Sequence, residues 1–140
     1  MKKIITSIAI VILFAFCLTA CKKSSDTQQP QTTLQKIQAK WLLVNITGND
    51  HYSGSDHITT TPGTSTDYFD FRADGKIYYS IGTYKDTVTY SLPSDAKILI
   101  NQRGNYDIKT LTSNSFIIYQ KNINVNNVAE YDEETLTWAK

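Results

Sequence analysis

Two Asp-His pairs, Asp50-His51 and Asp56-His57, are the residues best suited to acid–base or metal chemistry in this sequence. Imidazole and carboxylate together suit zinc, but a structural zinc site wants fixed spacing on rigid elements, usually with thiolates. These pairs fall in a stretch rich in glycine and serine, where solvated loop residues account for them. The chain has only two histidines, so a hydrolase would have to draw its base from this same stretch. Gly-x-Ser-x-Gly, His-Glu-x-x-His and a phosphate-cradling glycine loop are all missing, so neither catalysis nor a cofactor is expected. The second resource is aromatic: nine tyrosines, five phenylalanines and two tryptophans. Such rings can stack on a planar or apolar ligand while their hydroxyls hydrogen-bond, or they can simply fill a core.

Positioning these rings requires strands. The run from Tyr68 to Tyr79 reads as a β-hairpin around Ala73-Asp74-Gly75. A three-residue turn with glycine in the αL bulge position sets Phe71 opposite Ile77 and Phe69 opposite Tyr79. That register keeps Phe69, Phe71, Ile77, Tyr79 and Ile81 on one face, with Tyr68, Asp70, Arg72, Tyr78 and Ser80 on the other. Further strands are expected at Trp41–Ile46, Asp67–Arg72, Lys76–Ile81, Lys85–Leu92, Lys97–Asn101, Tyr106–Leu111, Phe116–Lys121 and Thr135–Ala139. Pro93-Ser94-Asp95 and Thr112 to Ser115 read as turns. Thr32 with Gln35 forms a capping box before a short helix, Thr33 to Ala39, whose Leu34 and Ile37 share a face with Trp41. The expected fold is all-β: an eight-stranded up-and-down antiparallel barrel preceded by that helix, with a sandwich as the alternative. The inward aromatic set would be Trp41, Phe69, Phe71, Tyr79, Tyr90 and Trp138.

The amino terminus is of another kind. Lys2-Lys3 precede an apolar run from Ile4 to Phe16, too short for a comfortable membrane span. Leu18-Thr19-Ala20-Cys21 then resembles the lipobox of bacterial lipoproteins. The resemblance implies removal of residues 1–20, lipidation of Cys21 and stable anchoring through several acyl chains. Residues 21–32 would be a polar tether holding a 33–140 domain about 20 Å from the bilayer. Loss of Lys2 and Lys3 takes the basic count from 14 to 12 against 13 acids, and the net charge from +1 to −1. With Arg72 and Arg103 its only arginines, such a chain has no footprint for nucleic acid.

From Leu34 onward the pattern resembles the lipocalin-like lipoprotein domains of Bacteroidetes. It rests on Leu34 through Trp41, on Phe69-Asp70-Phe71-Arg72-Ala73-Asp74-Gly75-Lys76, and on Tyr90-Ser91-Leu92 and Leu111-Thr112. Lipocalins proper carry glycine two residues before the tryptophan, where this chain has Ala39. The resemblance implies an up-and-down barrel on a lipid anchor, held at the outer membrane and facing the periplasm or the cell surface. Asp86-Thr87-Val88 resembles the O-glycosylation acceptor tripeptide of the same lineage. The expected function is binding of a small apolar ligand in the lumen. The alternative is a protein-interaction or inhibitor module with a solid core, docking on an envelope protein. The two longest connections, Thr47 to Thr66 and Asn122 to Glu134, should share one end of the barrel, opposite the helix and Asp74. A ligand or partner would therefore meet His51, Tyr52, His57, Asn126 and Tyr131.

Overall fold

The computed structural model describes residues 30–140. The lipobox, Cys21 and the tether up to Gln29 lie outside the described residues. Gln31–Lys140 forms one compact unit. Its elements are α1 (Thr33–Ile37), β1 (Lys40–Tyr52), β2 (Ser55–Pro62), β3 (Tyr68–Phe71), β4 (Lys76–Ile81), β5 (Tyr84–Ser94), β6 (Lys97–Ile100), β7 (Gly104–Leu111), β8 (Ser115–Ile123) and β9 (Tyr131–Ala139). Strands β3 to β9 follow one another as an antiparallel meander. β1 pairs with β3 on one side and β9 on the other, which closes an eight-stranded barrel. β2 is the extra strand, attached to β1 alone.

The β3–β4 hairpin has the bulged register expected from sequence: Phe69 opposes Tyr79, Phe71 opposes Ile77, and Gly75 sits at φ 76°. Asp74 Oδ1 accepts the Lys76 N–H at 3.0 Å and so stiffens the turn. Phe69, Phe71, Ile77 and Tyr79 are buried, and Ile81 packs against the core from a half-buried position. Ser80 departs from expectation, being buried although its register places it on the outer face. On β1, the register against β9 slips between Leu43 and Asn45, so the inward series runs Trp41, Leu43, Ile46 and leaves Val44 in solvent. Pro93 lies within β5, at the register shift against β6 where a strand tolerates it, and the turn itself is Asp95-Ala96.

α1 begins with the expected capping box: Thr32 Oγ1 accepts from Gln35 N–H at 3.2 Å, and Gln35 Oε1 from Thr32 N–H at 2.9 Å. The helix stops at Ile37 rather than Ala39. The Ala39 carbonyl is already committed to the sheet, accepting the Phe71 N–H at 3.0 Å. Ile37 is buried and Leu34 is not, correcting the shared face expected for the two. Trp41 Nε1 donates to the Ile37 carbonyl at 2.8 Å, tying the helix to the barrel floor.

The larger correction concerns the stretches expected to be long loops. Thr47 to Thr66 is mostly paired strand, because Ser53 (φ 52°) and Gly54 (φ 75°) both adopt positive φ and make a two-residue hairpin turn. Asn122 to Glu134 likewise shrinks to a connection between Ile123 and Tyr131. β2 descends along β1 to Pro62. Residues 63–67 then step away, and β3 resumes beside the base of β1.

Candidate functional site

Opposed residues of antiparallel strands share a face, so the register sorts the tip of the barrel. Its four strands run β2, β1, β9, β8. His51 lies between Asp56 and Tyr131 on the outer face, whereas Asp50 lies between His57 and Asp132 on the inner. The two imidazoles therefore belong to opposite faces, and both Asp-His pairs are on strands rather than in a loop. His51 Nδ1 is 2.7 Å from Asp56 Oδ1, and its ring stacks on Tyr131 with centroids 4.7 Å apart. That hydrogen bond, helped by Asn49, holds the Asp56 carboxyl below its usual range. His57 stacks on Tyr52 at 4.1 Å. Among the described residues no three His, Cys, Asp or Glu side chains converge as metal ligands.

The outer face continues as a polar ladder. Lys121 Nζ sits 3.3 Å from the Tyr131 ring centroid and 3.1 Å from Glu133 Oε1, which also accepts from Tyr119 at 2.7 Å. Burial and this acidic acceptor push the Tyr119 phenol up to about 12. Asn126 is exposed in the β8–β9 connection, where its N–H donates to Asn124 Oδ1 at 3.0 Å. The sequence-predicted mouth residues His51, Tyr52, His57, Asn126 and Tyr131 thus come together at one end. His51, Tyr52 and Tyr131 border a depression of about 290 Å³ with Ile123, Asn124 and Glu130. The two most exposed large hydrophobic side chains of the described residues, Val125 at 89% and Val128 at 79%, are in the β8–β9 connection, while Ile58, at 69%, lies on β2 level with Asn49 and Glu133.

The expected lumen set behaves differently. Trp41, Phe69, Phe71 and Trp138 are at most 1% exposed and Tyr79 and Tyr90 are each 7% exposed; Phe116, absent from that set, is buried with them. Phe69 meets Tyr79 and Trp138 at 5.1 Å, Phe71 meets Tyr90 edge-on at 5.4 Å, and Phe116 stacks on Trp138 at 5.0 Å. Offset and edge-to-face contacts at these distances are those of a packed core. Tyr90 spends its hydroxyl on the Arg72 carbonyl at 3.0 Å. Trp138 Nε1, by contrast, is buried without a partner.

Above the rings, sequence reasoning missed a polar cluster. Glu134 accepts from Tyr106 Oη at 2.6 Å and from Gln120 Nε2 at 3.1 Å, with Arg103 Nη1 3.5 Å away. Burial, then the Glu134 hydrogen bond, raises the Tyr106 phenol. The Arg103 guanidinium carbon lies 5.8 Å from the Tyr79 centroid and 6.0 Å from that of Phe69, so it covers the aromatic column. Alternation along β7 and β9 marks Tyr106 and Glu134 as same-face candidates, but their convergence with a turn arginine is tertiary. Thr87 is exposed on β5. No family model matches the chain, no curated protein is similar to it, and no solved structure matches it.

Proposed function

We propose that this protein is a lipid-anchored interaction module of the bacterial envelope, lipocalin-like in form, that docks another protein at the tip of its barrel. One observation carries the reading: the rings that would line a ligand cavity pack on one another, while the two most exposed apolar side chains, Val125 and Val128, stand together in the β8–β9 connection at the tip. Anchoring rests on Leu18-Thr19-Ala20-Cys21 behind the apolar run. The chain enters the barrel through α1, at the end opposite Tyr52 and Asn126. No catalytic role is part of the proposal.

A second reading is carriage of a small, mostly apolar ligand with one acceptor group, which the buried and unpartnered Trp138 Nε1 could hydrogen-bond. Native purification followed by mass spectrometry, read for both proteins and lipids, separates the two. The module reading expects a protein partner that is lost on Val125→Asp with Val128→Asp and no stoichiometric small molecule. An apolar molecule retained at one per chain would replace it with the carrier reading. Anchoring has its own test: wild type should fractionate with membranes and take up labelled fatty acid, whereas Cys21→Ser should take up none and keep residues 1–20, because only a thiol accepts the diacylglyceryl group. Wild type found wholly in the soluble fraction ends that part of the proposal.

A further inference from the structure

Closure of the barrel leaves β2 as the strand with a free edge among the described residues. All eight of its residues are exposed. The turn at Ser53-Gly54 makes Tyr52 and Ser55 the closing hydrogen-bonded pair, so alternate residues of β2 bond inward to β1. Ser55, His57, Thr59 and Thr61 turn their backbone groups to β1, while Asp56, Ile58 and Thr60 turn theirs outward. The Gly63 N–H, bonded to the Val44 carbonyl at 2.8 Å, keeps the same parity on β1. Pro62 falls in the outward series, where its missing N–H costs the β1 ladder nothing.

Native edges are usually guarded by lysine, proline, a bulge or a covering loop. β2 has a guard toward each end, the Asp56 carboxylate and Pro62, but between them Ile58, Thr59, Thr60 and Thr61 carry none and are all β-branched. The edge is also self-complementary. Antiparallel pairing of two copies about a two-fold axis at Ile58 sets Ile58 against Ile58 of the second copy, and Asp56 against Thr60 of the second copy. Every outward donor and acceptor of those three residues is then used, about six hydrogen bonds in all. The carboxylates stand apart, each opposite a hydroxyl, and the exposed Ile58 side chains cover one another. A slip of the axis toward Asp56 would oppose the two carboxylates. A slip toward Thr60 would set Ile58 against Pro62, which has no N–H. An axis at His57 would set each Ile58 against a carboxylate, and one at Thr59 would set Asp56 against Pro62, so only the Ile58 axis gives three fully bonded pairs with no charge or proline conflict.

We infer that β2 is a self-association edge, through which two copies of this chain join β2 to β2 around Ile58 into one sheet continuous across both barrels. Neither a lipid anchor nor an outside partner enters this pairing, so its failure leaves the envelope reading standing. The test is sedimentation equilibrium of the full chain in density-matched detergent. Wild type should double its apparent mass with concentration, and Ile58→Val, which keeps the backbone donor, should do the same. Ile58→Pro and Thr60→Pro should weaken association at least tenfold with unchanged circular dichroism, since each removes an outward N–H while the backbone ladder to β1 is kept. Wild type remaining monomeric up to about 1 mM overturns the inference. Proline variants that associate as wild type does also overturn it. Should proline disturb the fold, cross-linking decides: with a short bismaleimide, Ile58→Cys should give covalent dimer beyond the wild-type background and Tyr84→Cys should not. Equal yields from the two sites would sink the pairing.

Discussion

Gly63 stands where the chain leaves β2 and steps back to the barrel wall. A β-carbon there would lie 2.1 Å from the Leu43 carbonyl oxygen and 2.7 Å from the carbonyl carbon. Carbon and carbonyl oxygen rest at about 3.3 Å, so Gly63→Ala forces the 63–67 segment outward by roughly 1 Å. Overpacking of this kind costs about 1–3 kcal/mol. The same movement strains two bonds that seat the segment on β1, Gly63 N–H to the Val44 carbonyl at 2.8 Å and Leu43 N–H to the Asp67 carbonyl at 2.9 Å. Each is worth about 1 kcal/mol, so a total loss of about 2–4 kcal/mol is expected. With a urea slope of about 1.5 kcal/mol per molar, the denaturation midpoint should fall by roughly 1.3–2.7 M. Gly54→Ala is the control: its β-carbon meets nothing within 4 Å, and only its φ of 75° opposes substitution, at about 1 kcal/mol. A Gly63→Ala midpoint within about 0.3 M of wild type would refute the close approach, and equal losses for the two variants would refute its steric origin.

Three further outcomes are expected. Trp41→Phe should cost about 1–2 kcal/mol more than Trp138→Phe, because only Trp41 donates a bond, to the buried Ile37 carbonyl; equal urea midpoints would contradict this. Asp67 is buried and its carboxylate accepts the Thr64 and Gly82 N–H groups, each at 2.8 Å, which holds its pKa below the usual carboxylate value. Its contribution is therefore present above the unfolded pKa of about 3.9 and lost as pH falls through the lower folded value. Asp67→Asn should flatten the acid limb of thermal stability, and parallel curves for variant and wild type would argue against it. Gly75→Val should destabilise the fold by roughly 1 kcal/mol or more, since a β-branched residue resists φ 76°; an unchanged thermal midpoint would count against that strain.

The sequence by itself determined the parts in which apolar alternation or turn chemistry acts over a few residues. The β3–β4 register follows from Phe69, Phe71, Ile77 and Tyr79 needing one face and Gly75 supplying positive φ. The capping box at Thr32 and the meander order from β3 to β9 follow from equally local signals. β2 escaped because Ser-Asp-His-Ile-Thr-Thr-Thr has no buried face, so no hydrophobic period marks it as a strand. The Arg103–Glu134–Tyr106–Gln120 cluster joins residues from β7, β8, β9 and a turn, which only barrel closure brings together. Whether the aromatic set lines a lumen or fills it was also beyond the sequence. Ring types and inward positions are the same in either case, and the choice depends on the barrel's radius and the side-chain rotamers. Both are properties of the closed sheet: β9 returning to β1 sets the width into which Trp41, Phe69, Phe71, Phe116 and Trp138 must pack.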